Sequence, residues 1–269
     1  MATETSAPPD QRLSQAQACY HAGKIEEGLA LCRQNLVDVP NDAEALHLMG
    51  LICHRGGDSD SAVGLIRQAI SINASNAGYH SNLGVMLRAL GRNEEAVAVL
   101  RRAIEINPEL ADSHYNLANV LKVLRDLKEA EIHYKKAIEI SPNFANAHNN
   151  LGQLYKDQAK MDLSIDAHRQ SLVADPSSAM THSNLGMLLR QAGHLTEALS
   201  HYGMALALAP KDSLRVDSVV SLPTFNKSVE DIQQVRRGLV RSLTALHRQD
   251  LKIEDPAKDL NTTTFFLAY

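Results

Sequence analysis

No run of about 18 apolar residues occurs in this chain of 269 residues, so no segment is suited to span a bilayer. The opening MATETSAPPD lacks a basic stretch followed by an apolar one, which argues against a secretory signal; residues 1–8 read as a short disordered tail. There is no HExxH, no glycine-rich phosphate loop, no paired-cysteine motif and no nucleophile elbow. No catalytic centre, metal site or cofactor site is therefore expected within these residues. The net charge of −4 gives no general surface for nucleic acid or anionic membrane, so neither is an expected partner.

What is present is a repeat. Pro40, Pro108, Pro142, Pro176 and Pro210 share one frame, with Ala74 in the remaining place, and each step is 34 residues, as from Pro108 to Pro142. Small residues form further columns: Gly50, Gly84, Ala118, Gly152, Gly186; then Ala62, Ala96, Ala130, Ser164, Ala198; then Ala69, Ala103, Ala137, Ser171, Ala205. Such positions let two helices approach closely. Large residues run between them (Met49, Leu83, Leu117, Leu151, Leu185, and Ile66, Leu100, Tyr134, His168, Tyr202) at the spacing of a buried helical face. Gly57, Gly91 and Gly193 mark a turn between two helices of each unit, where Arg125 and Ala159 stand in the other copies.

Over residues 9–210 these columns resemble the tetratricopeptide repeat family, whose period is 34 residues. Six units are expected at about 7–40, 41–74, 75–108, 109–142, 143–176 and 177–210, the first degenerate because it carries Gly28 and Asn35 where its successors have alanine or serine. The resemblance implies an all-α, right-handed superhelix (α-solenoid) whose first helices, helix A of each unit, line the concave side. Cys19 and Cys53 fall in one column and Cys32 in that of Ile66 and Leu100, so all three are expected in the core, in a reduced, cytoplasmic setting.

One helix A column reads Asn82, Asn116, Asn150, Asn184. Asparagine is a mediocre helix former, so its recurrence needs a reason. Its amide offers one acceptor and two donors and can hold a peptide unit by two hydrogen bonds. Units stacked roughly 10 Å apart and an extended chain advancing about 3.3 Å per residue would place one asparagine at about every third ligand residue. The other reading is that these amides tie one repeat to the next. Six residues on lies a basic column, Arg88, Lys122, Lys156, Arg190, after His54. It reads either as cations suited to helix C-termini or as a stripe that favours acidic flanks in a bound segment. These eight residues are the candidate polypeptide-binding site. His80, His114, His148 and His182 share another column, but units so spaced cannot bring two of them onto one ion, and packing is expected.

After Pro210 the period stops. Residues 229–248 read as an amphipathic helix N-capped by Ser228, capping the superhelix, and TTTFFLAY (262–269) as an orphan β-strand. The stretch from FNKSVEDIQQ to TTTFFLAY resembles the linker and first strand of SPINDLY-type and O-GlcNAc transferase-like glycosyltransferases. That resemblance makes residues 211–269 a linker and the start of a missing transferase domain, which alone would take a UDP-sugar or other nucleotide-sugar donor. It implies a docking arm for protein or peptide substrates, with a homodimer through the superhelix as a further expectation. The alternative is a stand-alone scaffold or co-chaperone adaptor that belongs to no enzyme.

Overall fold

The structure is a computed structural model that describes residues 8–210. The tail at 1–7, the linker, the helix 229–248 and the strand 262–269 lie outside the described residues. Twelve helices make up the described chain, in six pairs. The first of each pair are α1 (Pro9–Ala22), α3 (Ala43–Arg55), α5 (Ala77–Ala89), α7 (Ala111–Val123), α9 (Ala145–Asp157) and α11 (Ala179–Gln191). The second are α2 (Ile25–Asp38), α4 (Ser59–Ile72), α6 (Asn93–Ile106), α8 (Leu127–Ile140), α10 (Met161–Ala174) and α12 (Leu195–Leu208). Both series start at intervals of 34 residues, so the repeat read in the sequence is the repeat of the backbone. Two compact units divide at Pro142: four helix pairs (α1–α8) and two (α9–α12).

Local chemistry sets the ends. Asp42 caps α3 by accepting from the amides of Glu44 and Ala45, and Asp58, Asn76, Asp126 and Ser178 cap their helices likewise. Each first helix closes with a residue in the left-handed region, at Gly23, Gly57, Gly91, Arg125, Ala159 and Gly193. Beyond it, an amide reaches back to a carbonyl five residues earlier, as from Lys160 to Tyr155 at 2.9 Å. The turn is thus the same in all six copies, and Arg125 and Ala159 adopt φ of 66° and 57° without being glycine.

Within a pair, the small columns set the separation. A Cβ placed on Gly50 would lie 2.8 Å from Ile66 Cγ1, and one on Gly152 or Gly186 would lie 3.0 Å from the ring of His168 or Tyr202. The alanine columns are fully buried. Where serine replaces alanine its hydroxyl is satisfied by a carbonyl of α9: Ser164 donates to Gly152 at 2.7 Å and Ser171 to Ala145 at 2.9 Å. In the degenerate first pair, buried Arg12 pairs with Asp38 and donates to the Gln34 carbonyl at 2.9 Å, while buried Asn35 donates to Asp42 at 2.7 Å. Cys32 and Cys53 are buried and Cys19 only half-buried; burial pushes the Cys32 thiol up to about 12 and Cys53 upward, as expected of inert core thiols.

Candidate functional site: the asparagine and cation columns

The asparagine column lies on half-buried faces of α5, α7, α9 and α11. Three of its amides have partners one repeat back. Asn82 Nδ2 meets His47 Nε2 at 2.8 Å, Asn116 Nδ2 donates to Ser81 Oγ at 3.3 Å, and Asn184 Nδ2 donates to Asn149 Oδ1 at 3.4 Å. Burial keeps His47 below its ordinary pKa, so its neutral ring can accept from Asn82. Asn150 Oδ1 accepts from Asn149 Nδ2 at 3.3 Å. For Asn82, Asn116 and Asn184, then, one amide hydrogen joins neighbouring helices, while the second hydrogen and the carbonyl oxygen remain for a ligand. The two readings of the column are compatible: the inter-repeat bond fixes the amide's rotamer, and a fixed amide loses less entropy on meeting a ligand.

Their partners His47, Ser81 and Asn149 do not stand out as a set in the sequence. They lie one place before the asparagine column, and the mixture of imidazole, hydroxyl and amide there hides a shared role.

The cation column is less uniform than its sequence. His54 accepts or donates to Ser59 Oγ at 2.9 Å from Nδ1, and burial lowers its pKa, with Arg88 adding to that. Lys156 Nζ lies 3.7 Å from the Met187 thioether. Arg88 is exposed and makes no ion pair or side-chain hydrogen bond among the described residues. Arg88 and Lys122 line one depression of about 410 Å³ together with Asn119, Val123 and Arg125. Lys156 and Arg190 lie on α9 and α11 of the second unit.

The second helices behave differently. Arg67 pairs with Glu95 at 3.0 Å, Arg101 with Glu129 at 2.9 Å and Arg169 with Glu197 at 2.8 Å, each 28 residues apart. This exposed ladder neutralises the arginines it contains and contributes little stability per pair.

The histidine column packs, but through polar chemistry as well as bulk. Nε2 of His80, His114 and His182 lies 3.1, 2.9 and 3.1 Å from the carbonyls of Ala74, Pro108 and Pro176, six residues earlier. His114 and His182 also meet a histidine of the second helix: Nδ1 to Nδ1 is 3.0 Å for His114–His133 and 2.9 Å for His182–His201. The ring centroids are 5.2 and 5.1 Å apart, as far as two ring radii plus the N···N gap allow, so the rings meet edge to edge. A proton fits on that line. A metal ion does not, because two collinear metal–nitrogen bonds of about 2.0–2.1 Å need a longer gap. Among the described residues no group of three or more histidine, cysteine or acidic side chains could hold a metal.

Comparison with known proteins agrees with this architecture. Family models described as "Tetratricopeptide repeat" match residues 43–76, 111–144, 133–168 and 179–212, and one described as "TPR repeat" matches 86–123. Among solved structures, pilF of Pseudomonas aeruginosa is 18% identical with a TM-score of 0.67, over 75% of this chain and 92% of its own. TTC0263 of Thermus thermophilus is 23% identical with a TM-score of 0.56, over 67% and 98%. YrrB, described as a TPR protein with an unusual peptide-binding site, is 20% identical with a TM-score of 0.55, over 67% and 90%. No curated protein matches in sequence. At these identities the structures carry the fold. No helix among the described residues is long and apolar enough to cross a membrane.

Proposed function

We propose, from the premise that this chain is a tetratricopeptide repeat protein, that it is a protein–protein interaction module that binds extended polypeptide along the faces bearing Asn82, Asn116, Asn150 and Asn184. The observation that supports this most is the asparagine column itself. Three of its four amides are held by a bond to the preceding repeat with their oxygens unengaged, as a backbone-reading donor–acceptor pair requires. YrrB, with its peptide-binding site, is a precedent on the same fold. Four hydrogen-bonding amides at about 1 kcal/mol each give roughly 4 kcal/mol, or about millimolar affinity. The module therefore holds polypeptide weakly, with little regard to sequence, and releases it.

The finer reading is that it serves as the substrate-recognition arm of a SPINDLY-type or O-GlcNAc transferase-like glycosyltransferase. It rests on the resemblance of residues 225–269 and on the asparagine column. Nucleotide-sugar binding by a longer form of the polypeptide would favour it; a native polypeptide near 29 kDa without such binding favours the stand-alone scaffold instead.

Length dependence tests the binding mode. Unstructured peptides of unrelated sequence and increasing length, titrated against the full chain, should gain affinity by a similar factor for about every three residues added. Affinity that tracks one sequence motif and ignores length contradicts a backbone-reading groove.

A further inference from the structure

Arg125 occupies a backbone position that favours glycine. Its φ is 66°, and four of the six equivalent turns carry glycine there. An L-residue in this region costs about 1–2 kcal/mol. The side chain placed at that cost lines the same depression of about 410 Å³ as Arg88 and Lys122, and no carboxylate lines it. The helix dipole accounts for Arg88 and Lys122, which lie in the last turns of α5 and α7. Arg125, one residue beyond the C-cap Leu124, adds a third cation at the same end of α7. Neither Arg88 nor Arg125 has a side-chain hydrogen bond or ion pair among the described residues, whereas Arg67, Arg101 and Arg169 on the second helices are each answered by a glutamate. Tyr134 donates to Asn119 Oδ1 at 2.7 Å, which engages that amide's oxygen at the edge of the depression. The positive field also reaches past the depression, since Arg88 adds to the lowering of the His54 pKa.

We infer that the depression formed by Arg88, Asn119, Lys122 and Arg125 seats an anionic side chain, carboxylate or phosphate, of the polypeptide bound along the asparagine column. The inference rests on the polypeptide-binding reading above. It adds a preference to a groove that otherwise reads backbone. Guanidinium groups suit both oxyanions, because each presents a planar fork of donors.

The test uses the full chain and three labelled peptides of one unstructured sequence with a single central position as Gln, Glu or phosphoserine, followed by fluorescence anisotropy. The charged peptides should bind about three- to tenfold tighter than the Gln peptide, the scale of two exposed ion pairs. That ratio should shrink as salt is raised. In Arg88→Gln/Arg125→Gly the ratio should fall to about one; glycine at 125 restores the residue of the sister turns, so folding is preserved. Equal binding of all three peptides overturns the anion pocket and leaves the groove standing. A ratio that survives in the double variant overturns its placement. Binding of none of them overturns the groove reading and the pocket with it. Single-stranded DNA of matched charge that displaces the phosphopeptide as well as the Glu peptide does would overturn the choice of a peptide ligand.

Discussion

The Asn116 amide nitrogen donates to the Ser81 hydroxyl at 3.3 Å, across 35 residues of sequence, and so joins α7 to α5. This bond separates two contributions of one side chain. Ser81→Ala removes the partner and keeps the amide. It should lower stability by about 1 kcal/mol or less and leave peptide affinity within about twofold. Asn116→Ala removes both and should lower stability by a similar amount while weakening binding further. Urea melts beside peptide titrations check both; equal loss of affinity in the two variants would make the amide a purely structural tie.

Ala159 invites the opposite change. Its φ of 57° places it where Gly23, Gly57, Gly91 and Gly193 stand in other repeats. Ala159→Gly relieves about 1–2 kcal/mol of left-handed strain and adds about 0.5–1 kcal/mol of chain entropy. A net gain of about 0.5–1 kcal/mol follows, visible as a higher urea midpoint at unchanged slope. A lower midpoint would mean that the turn is held by more than its backbone geometry.

Glycine is required for a different reason at Gly84. A methyl group there would lie 2.7 Å from Leu100 Cδ2, inside contact distance, because α5 and α6 meet at this point. Gly84→Ala should destabilise by about 1–3 kcal/mol, and trimming Leu100 to Ala in the same chain should recover part of the strain while leaving its own packing loss. Thermal unfolding of the two variants checks this; a neutral Gly84→Ala contradicts the close packing.

His168 carries the sharpest acid sensitivity. It is fully buried against Gly152, and both ring nitrogens lack a hydrogen-bond partner among the described residues. Burial, helped by Lys156, lowers its pKa from 6.5 to about 4. Between those values the unfolded chain binds a proton that the folded chain refuses. Its contribution is therefore complete above pH 6.5 and is lost as pH falls towards 4, about 3 kcal/mol in all. His133 and His201, each shifted downward by burial and by a neighbouring histidine, act with the same sign. His168→Leu, the residue of the same column at Leu100, should raise stability at about pH 5 more than at about pH 7.5. An equal gain at both values would place the orphan nitrogens, and not the proton, at the root of the effect.

Much of this is legible in the sequence because helix pairing is periodic. The proline frame places every helix pair, and the Gly50 and Ala62 columns mark where helices touch. Arg125 and Ala159 in the turn column imply that glycine is not strictly needed there, and their backbone angles agree. Less legible is chemistry outside any column. Arg12–Asp38 belongs to a degenerate repeat. The partners of the asparagines vary in residue type. His133 and His201 become partners of His114 and His182 only once two helices are folded side by side. Cys19, expected in the core with its column, is half-buried because it lies in the first helix pair, which has no preceding pair against it among the described residues.

In the proposed binding mode the asparagine column reads polypeptide backbone. The most direct measurement is the affinity of the full chain carrying Asn82→Ala, Asn116→Ala, Asn150→Ala and Asn184→Ala for an unstructured peptide of about fifteen residues, with helicity followed by circular dichroism. Backbone reading predicts helicity near that of the parent and affinity reduced by at least about tenfold, from the loss of four hydrogen-bonding sites at about 1 kcal/mol each. Unchanged affinity in a folded quadruple variant would contradict it and assign the column to holding the repeats together.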